Sequence, residues 1–317
     1  MEEIHKIWED EDDFIEDFQR SKDSLGDDDF SSLVNTTRTV HFLLKPTEDG
    51  VNDTTELPPP KKLAKNLDLI PGRLTMHLYE SKVAERWSAV YQGDPLAIRT
   101  ATKIRSIAEA YGSQHGYDFV IIDTSPSLGA LNRMVMTTTD GFIIPCMPDL
   151  FSLYGIRNIG NALAIWKKQF DMIFHFLSKE KRRDFPEEFV QFLGYTIYNA
   201  KKRTTDKNPY NLAVAHYNYA KQIPSTIRDH ISQNMRGKLS DALLEEPIGK
   251  TTVMHTHNTF PSMAQKYRMP MWDVPRAELE TEDVSTVSGN RQMYYDTREK
   301  YIDFAREFIS RTDLLGN

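Results

Sequence analysis

The alternation of apolar and polar positions divides the chain into strand-length and helix-length segments. Short apolar runs with the β-branched content of strands buried in a parallel sheet occur at Phe119–Ile122, Gly141–Pro145 and Phe189–Tyr198. Elsewhere, apolar residues recur every three or four positions, which predicts helices over 77–91, 96–114, 156–177, 209–235 and 298–309. Because strands and helices alternate, the pattern predicts an α/β fold with a largely parallel sheet flanked by helices.

Three further segments have weaker patterns. Asn66–Ile70 alternates apolar and polar residues and stops at Pro71-Gly72, which predicts a strand ended by a turn. The preceding Glu48–Lys62 is rich in turn residues and contains consecutive prolines, so a loop is expected there. Thr252–His255 predicts a short strand near the end of the chain.

Charge is distributed unevenly between the start of the chain and the rest. Residues 1–30 contain 13 Asp and Glu against 3 Lys and Arg, a net −10, while the whole chain carries −7, so the remainder carries +3. A run of like charges is typical of a solvated segment, although a basic partner is the alternative. We therefore predict an acidic segment over residues 1–38, partly disordered or helical, followed by an α/β domain over residues 39–317.

Composition excludes several classes of protein. Cys146 is the single cysteine, which rules out an internal disulfide and a cysteine-only metal cluster within one chain. No apolar run approaches the roughly 20 residues of a spanning helix, and the chain starts acidic where a signal peptide would be basic and then apolar. A cytoplasmic protein without a membrane partner is expected.

The sequence GKTT at Gly249–Thr252 matches the end of a nucleotide phosphate loop. The full signature, G-x-x-x-x-G-K-[ST], needs a first glycine so that the backbone can curl around the phosphates. Leu244 stands at that position, and Glu245 and Glu246 place carboxylates where an anion would bind. The pattern therefore favours a plain turn over a phosphate loop.

Asp123 is the strongest candidate for a functional residue. It ends the apolar run Phe119–Ile122 and precedes a turn sequence, Thr124–Gly129. Ligands of open parallel sheets bind beyond the carboxyl ends of the strands, where an aspartate can hold Mg²⁺ directly or through water. The alternative role is an Asp that caps the following helix.

In its order of motifs, the chain resembles the ParA/MinD/Soj family of deviant-Walker P-loop ATPases, which segregate plasmids and chromosomes. The resemblance is strongest over residues 117–159, where the family has a Walker B strand ending in D-x-x-P-S-L-G, a strand ending in I-P-x-x-P, and a helix opening with F-S/A-L-x-G. The corresponding elements are Asp123, Pro126–Gly129, Ile144-Pro145 with Pro148, and Phe151–Gly155. Looser similarity extends over roughly residues 38–312, including Leu67–Gly72, Phe192–Asn199 and Ser262–Val274.

This resemblance implies a doubly wound P-loop NTPase-like fold and a site for ATP and Mg²⁺. Asp123 would be the catalytic residue and the Mg²⁺ ligand, with Pro126 and Asn199 beside the nucleotide. The family also implies a homodimer, a ParB-like partner protein, association with the nucleoid and DNA binding without sequence preference. The basic run Lys201, Lys202 and Arg203 is the candidate DNA surface together with Lys179–Arg183, and ordinary solvated surface is the alternative.

Two family motifs are absent from the sequence. Neither the phosphate loop K-G-G-x-G-K-[ST] nor the switch D-x-D-P-Q occurs, so the N-terminal strand and phosphate loop of the family are missing. The chain is expected to be either an N-terminally truncated form or a degenerate homologue. Three functions stay open: a partition ATPase, a non-hydrolysing adaptor that binds DNA or a protein, and a synthetase of the dethiobiotin type.

Overall fold

The computed structural model describes residues 2–54, 56–125, 127–257 and 259–316. Its helices and strands in the first part of the chain are α1 (Glu2–Glu16), α2 (Phe18–Leu25), α3 (Asp27–Val34), α4 (Val40–Asp49), β1 (Lys61–Ala64), β2 (Leu67–Leu69), α5 (Met76–Val90), α6 (Pro95–His115) and α7 (Ala130–Thr138). The remaining ones are β3 (Gly141–Cys146), α8 (Leu150–Phe176), α9 (Lys179–Arg182), β4 (Gln191–Ile197), α10 (Val214–Ala220), α11 (Ile223–His230), α12 (Gln233–Arg236), α13 (Asp241–Glu245), α14 (Phe260–Tyr267), α15 (Thr281–Gly289) and α16 (Arg291–Thr312). Among the described residues, short 3-10 helices cover Thr204–Asp206, Met271–Arg276 and Asp313–Leu315.

The chain divides into two compact units. Unit 1 comprises Met1–Thr139 and Trp166–Phe189, and unit 2 comprises Asp140–Ile165 and Val190–Asn317. Helix α8 therefore contributes its first part to unit 2 and its last part to unit 1.

Unit 1 is mainly helical. Helices α5, α6 and α7 pack around a core that includes Tyr79, Trp87 and Ile107. Strands β1 and β2 form an antiparallel hairpin, which places β2 where the alternation at Asn66–Ile70 predicted a strand. Helices α5 and α6 likewise confirm the periodicities over 77–91 and 96–114, because each buries one apolar face in this core.

The acidic segment at the start of the chain is helical. Its phenylalanines Phe14, Phe18 and Phe30 pack with Phe42 of α4, and the ring centroids of Phe14 and Phe42 lie 5.5 Å apart. This small aromatic core fixes α1–α3 on α4 by removing apolar rings from water. The boundary predicted after residue 38 stays a prediction.

Unit 2 contains the parallel sheet. Strands β3 and β4 pair in parallel, from Gly141 opposite Gln191 to Cys146 opposite Ile197. The residues of β4 from Phe192 to Ile197 are all buried, as a nearly continuous apolar run predicts for a strand covered on both faces. Together with the helices that precede and follow these strands, this confirms the α/β class with a parallel sheet.

Helix α16 is attached to β4 by a buried arginine. Arg311 is 1% exposed and donates from Nη1 to the Leu193 carbonyl at 3.3 Å and from Nη2 to Glu307 Oε1 at 2.8 Å. Gly194 makes this approach feasible because its φ is +133° and a Cβ there would lie 2.8 Å from Arg311 Nη1. The glycine in the strand is therefore required by packing.

One predicted strand is wrong. Phe119–Ile122 is irregular, and among the described residues it pairs with no strand. Its side chains are largely exposed, with 77% of Ile121 accessible. An apolar run predicts burial in a sheet, but a strand also needs a neighbour for its backbone ladder, which the described residues do not supply.

The predicted strand at Thr252–His255 is wrong as well, and turns occupy most of it. A single parallel bridge joins His255 to Ala200, the residue that follows the end of β4 by three positions. None of the helices in the described ranges is long and apolar enough to cross a membrane.

Candidate functional site

Asp123 lies in the connection between α6 and α7, in unit 1. Its side chain is exposed, and no hydrogen bond or ion pair joins it to another described residue. A carboxylate in this position is free to bind a hydrated cation, and it contributes little to packing. Pro126, the second residue predicted at this site, lies outside the described residues.

The turn after Asp123 is fixed to α7 by one asparagine. The Asn132 side-chain amide donates to the Ser125 carbonyl at 2.6 Å and to the Ser127 carbonyl at 2.5 Å. Asn132 is 5% exposed, so these bonds are shielded from water. Helix α7 thus sets the course of the chain just after Asp123, and the sequence patterns did not single out Asn132.

The amino end of α7 is occupied by a carboxylate of the protein itself. Glu80 of α5 accepts the Leu131 N–H at 3.3 Å, at the end of the helix that attracts anions. Gly129 permits this contact, because a Cβ there would lie within 1.9 Å of Glu80 Oε1. Glu80 therefore occupies the position that an anionic ligand at this helix end would take.

Asn199 lies just past the carboxyl end of β4, in unit 2. It adopts a left-handed backbone conformation with φ of 54°, and its side chain is exposed. The neighbouring Tyr198 N–H donates to the Cys146 carbonyl at 3.0 Å, so the carboxyl ends of β3 and β4 meet at one edge. Asp123 belongs to the other unit, and its convergence with Pro145 and Asn199 stays a prediction.

The predicted basic residues Lys201, Lys202 and Arg203 are all exposed on the loop that follows Asn199. We call residues 199–213 the basic loop. Its two arms are joined by backbone hydrogen bonds from Arg203 N to Asn211 O at 2.7 Å and from Ala213 N to Lys201 O at 3.0 Å. The loop therefore presents these cations from a defined backbone.

Lys207, which sequence reasoning missed, is a fourth exposed cation of the basic loop. The loop contains one acidic residue, Asp206, whose Oδ1 lies 3.5 Å from Arg203 Nε. Four cations and one anion give the loop a net charge of +3. Lys207 could have been found by extending the basic run across the intervening polar residues.

The other predicted basic run, Lys179–Arg183, uses several of its cations inside unit 1. Lys181 Nζ donates to the Gly93 carbonyl at 2.9 Å, and the Arg182 guanidinium lies 4.8 Å from the centre of the Phe174 ring. Arg183 pairs with Asp184 at 3.4 Å. These contacts favour a structural role for this run over a DNA surface.

The GKTT segment forms a compact turn. The Gly249 N–H donates to Glu307 Oε2 at 2.8 Å, and the Lys250 N–H donates to the Pro247 carbonyl at 2.8 Å. Lys250 Nζ pairs with Glu246 at 3.0 Å. Because these donors already have partners and two carboxylates stand beside them, the turn does not fit a phosphate group.

The residues available for Mg²⁺ are few. In the described part of the chain, no group of three or more His, Cys, Asp and Glu side chains is placed to hold a metal ion. Mg²⁺ needs only one or two carboxylates when substrate phosphates and water complete its shell. Asp123 fits that limited role, and the described residues offer no phosphate cradle at Gly249–Thr252 or at the amino end of α7.

Comparison with known proteins finds a family model, several relatives and a solved structure that each match part of the chain. Residues 32–175 match the model of a family described as "AAA domain". A probable plasmid-partitioning protein ParA of Thermus thermophilus is 35% identical over 122 residues, which are 38% of this chain and 34% of that protein. The sporulation initiation inhibitor protein Soj of Bacillus subtilis is 26% identical over 104 residues, 33% of this chain and 36% of Soj.

A ParA family protein of Mycoplasma pneumoniae is 26% identical over 137 residues, 41% of this chain and 44% of that protein. The chain thus spans less than half the length of each of these relatives. A solved structure of a protein from Corynebacterium diphtheriae aligns with a TM-score of 0.48 and 22% identity, covering 62% of this chain and 66% of that one.

Proposed function

We propose that this chain is a ParA-type P-loop ATPase homologue that binds DNA in a partition or related positioning task. This proposal is supported by the match of residues 32–175 to the AAA-domain family model and by relatives that are named ParA and Soj. The basic loop is the proposed contact with DNA. In the same proposal, the protein works as a homodimer, takes a ParB-like partner and associates with the nucleoid.

The observation that carries the DNA proposal is the charge and exposure of the basic loop. Lys201, Lys202, Arg203 and Lys207 are exposed, and only Asp206 opposes them. Lys201, Lys202 and Lys207 have no carboxylate partner among the described residues, so they can bind DNA phosphates and release condensed counterions, which favours binding at low salt. Contacts of this kind do not distinguish bases, so the proposed binding is independent of sequence.

For the nucleotide, Asp123 and Asn199 are the residues proposed to act. Asp123 would hold Mg²⁺ through water. A bound Mg²⁺ ion would neutralise negative charge on the nucleotide phosphates. Asn199 would contact the nucleotide from the carboxyl end of β4. Hydrolysis also requires phosphate donors, which neither Gly249–Thr252 nor the amino end of α7 offers in this arrangement, so a non-hydrolysing adaptor is the alternative.

The DNA proposal is tested by measuring affinity for duplex DNA against salt concentration. Lys201→Glu with Lys202→Glu should weaken binding and reduce the slope of log affinity against log salt by about 2, roughly one unit for each lost phosphate contact. Lys62→Glu with Lys65→Glu is the matched control, because both lysines are exposed near the β1–β2 turn and the change in net charge is the same. An equal effect of the two double variants would reject the basic loop as the DNA surface.

A second function, contact with another protein, is favoured by exposed apolar residues at the start of α8. Leu150, Phe151 and Tyr154 are 47%, 83% and 53% exposed. Clustered apolar side chains in water are typical of an interaction surface.

We propose that this cluster contributes to the homodimer, so Phe151→Glu should shift sedimentation towards a monomer. Phe176→Glu is the control, since Phe176 is 62% exposed near the other end of α8; equal sedimentation of both variants would argue against the proposal.

A further inference from the structure

Three acidic residues of α1 contact two arginines of unit 1. Arg73 pairs with Glu11 and with Asp12, and the Arg38 Nη2 lies 3.8 Å from Asp10 Oδ2. Asp10 and Asp12 are exposed, whereas Glu11 is 0% exposed. A fully buried carboxylate is unusual and requires strong partners to offset its loss of hydration. The burial of Glu11 is thus the feature of the acidic segment that a solvated tail would not show.

Glu11 is bound at the amino end of α4. Its Oε1 accepts the Thr39 N–H at 2.8 Å, and its Oε2 accepts the Thr39 hydroxyl at 2.6 Å and lies 3.4 Å from Arg73 Nη1. Thr39 is the N-cap of α4. In a capping box, the carboxylate that accepts the N-cap N–H comes from the third residue of the same helix, but that position here is Phe42. A carboxylate from another helix takes its place.

The two arginines whose charges act on Glu11 each have a buried N–H donor to spare. Arg38 Nη1 and Arg73 Nε are buried and have no hydrogen-bond partner among the described residues, and the Arg38 side chain is 3% exposed. The rest of the Arg38 guanidinium bonds to the Thr36 carbonyl and hydroxyl. Buried N–H groups of arginine are normally paired, so these spare donors could serve a further acceptor oxygen.

The electrostatics of Glu11 agree with this interpretation. Burial raises its pKa above the ordinary value of 4.5 even though Arg38, Arg73 and both Thr39 donors favour the charged form. The ionised side chain is therefore incompletely compensated in its present position. The cost of burying this charge weakens the Glu11 contact, which favours its displacement by a competing ligand.

We propose that Arg38, Thr39 and Arg73 form a binding site for a tetrahedral oxyanion of the phosphate class, and that Glu11 occupies it as an internal substitute. A phosphate offers extra oxygens to Arg38 Nη1 and Arg73 Nε and a second negative charge between two guanidinium groups. Because Glu11 and phosphate need the same donors, binding of one excludes the other. The Glu11 contact of α1 is thereby a blocking element that a phosphate group can displace.

The proposal is tested by thermal unfolding of the full chain in sodium phosphate, sodium acetate and sodium chloride at equal pH and ionic strength. Glu11→Ala vacates the site and should show a saturable rise in Tm with phosphate, well above the rise with acetate or chloride. Glu9→Ala is the matched control, because Glu9 is an exposed neighbour on α1. This control should respond to phosphate no more than the unchanged chain does.

Arg73→Gln added to Glu11→Ala should remove the phosphate-specific rise. If Glu11→Ala does not fold, Glu11→Gln is used, and phosphate binding is measured directly by phosphorus NMR line broadening. A repeat with AMP distinguishes free phosphate from the phosphate group of a nucleotide, and binding of either one supports the site. Superimposed phosphate and chloride curves, equal effects of phosphate and acetate, or a phosphate effect that survives Arg73→Gln would each overturn the proposal.

Discussion

At the scale of single residues, Glu11 gives the protein a defined response to pH. Because its folded pKa lies above its ordinary value of 4.5, the folded state binds a proton before the unfolded state as pH falls. The unfolding free energy of the unchanged chain should therefore rise, relative to that of Glu11→Gln, as pH drops through the raised pKa. The difference should stop changing below about pH 4.5, where Glu11 is protonated in both states.

This pH response is measured by urea unfolding of both proteins between neutral pH and mild acid. Groups that titrate in the same way in both proteins cancel when the two unfolding free energies are subtracted. Glu9→Gln serves as the control because Glu9 is exposed on the same helix. The difference in unfolding free energy between the unchanged chain and Glu9→Gln should not change over this pH range. A difference for Glu11→Gln that falls with decreasing pH would contradict the assigned direction of the pKa.

Asp123 should contribute little to stability, in contrast to its proposed role with Mg²⁺. It is exposed and has no bonds to other described residues, so Asp123→Ala should change the unfolding free energy by less than about 0.5 kcal/mol. Asp94→Ala is the comparison in the same unit, because Asp94 Oδ1 accepts the Ala97 N–H at 2.7 Å as the N-cap of α6. Loss of that cap should cost about 1 kcal/mol.

Urea unfolding of both variants measures this contrast. A cost for Asp123→Ala as large as that for Asp94→Ala would mean that Asp123 is a structural residue. A small cost for Asp123→Ala beside a larger cost for Asp94→Ala would instead show that the Asp123 carboxylate takes no part in packing or helix capping. Such a carboxylate is available to a Mg²⁺ ion, as the proposed role requires.

At the scale of elements, the segment Phe119–Ile122 should behave as an unpaired strand. Its amides are in no ladder of the described residues, so hydrogen exchange there should be among the fastest in the chain. The residues of β4, which are buried and paired with β3, should exchange slowly. Peptide-level exchange measured by mass spectrometry compares the two segments in one sample.

Slow exchange at 119–122 would show that this segment is paired in solution. Addition of a partner that completes a ladder there should slow its exchange and leave β4 unchanged. Charge variants of the basic loop should not affect exchange at 119–122, which separates strand pairing from DNA binding.

These elements also show how far sequence reasoning extends. The helices α5, α6 and α8 and the strands β3 and β4 were predicted because each buries an apolar face that is visible in its own local pattern. Phe119–Ile122 has an equally clear pattern, but strand formation depends on a neighbour that local sequence does not reveal. Apolar content alone therefore predicted the segment incorrectly.

The same limit applies to the candidate sites. The exposure of Lys201, Lys202 and Arg203 followed from their run of charge, whereas the burial of Glu11 did not. Glu11 is 62 residues from Arg73 and 28 from Thr39, and nothing in the acidic run distinguishes it from its neighbours. Long-range hydrogen bonds of this kind become visible only when the fold is known.

At the scale of the whole molecule, the distribution of anion donors bears on nucleotide binding. The amino end of α7 is occupied by Glu80, and the Gly249 N–H is bound to Glu307. The amino end of α7 and the Gly249–Thr252 turn therefore each contain a carboxylate of the protein where a nucleotide phosphate would bind. In the proposed function, Asp123 would supply only the metal side of a nucleotide site.

We therefore expect this 317-residue chain to bind ATP–Mg²⁺ weakly or not at all. Catalytic phosphate sites depend on several preorganised donors, and a single carboxylate with a bound cation cannot replace them. Calorimetric titration with a non-hydrolysable ATP analogue in Mg²⁺ should show no micromolar binding. Lys250→Ala provides the control. A micromolar dissociation constant that is lost in this variant would establish Gly249–Thr252 as a phosphate loop after rearrangement of Glu307. A micromolar dissociation constant that is retained would place the phosphate donors elsewhere in the chain.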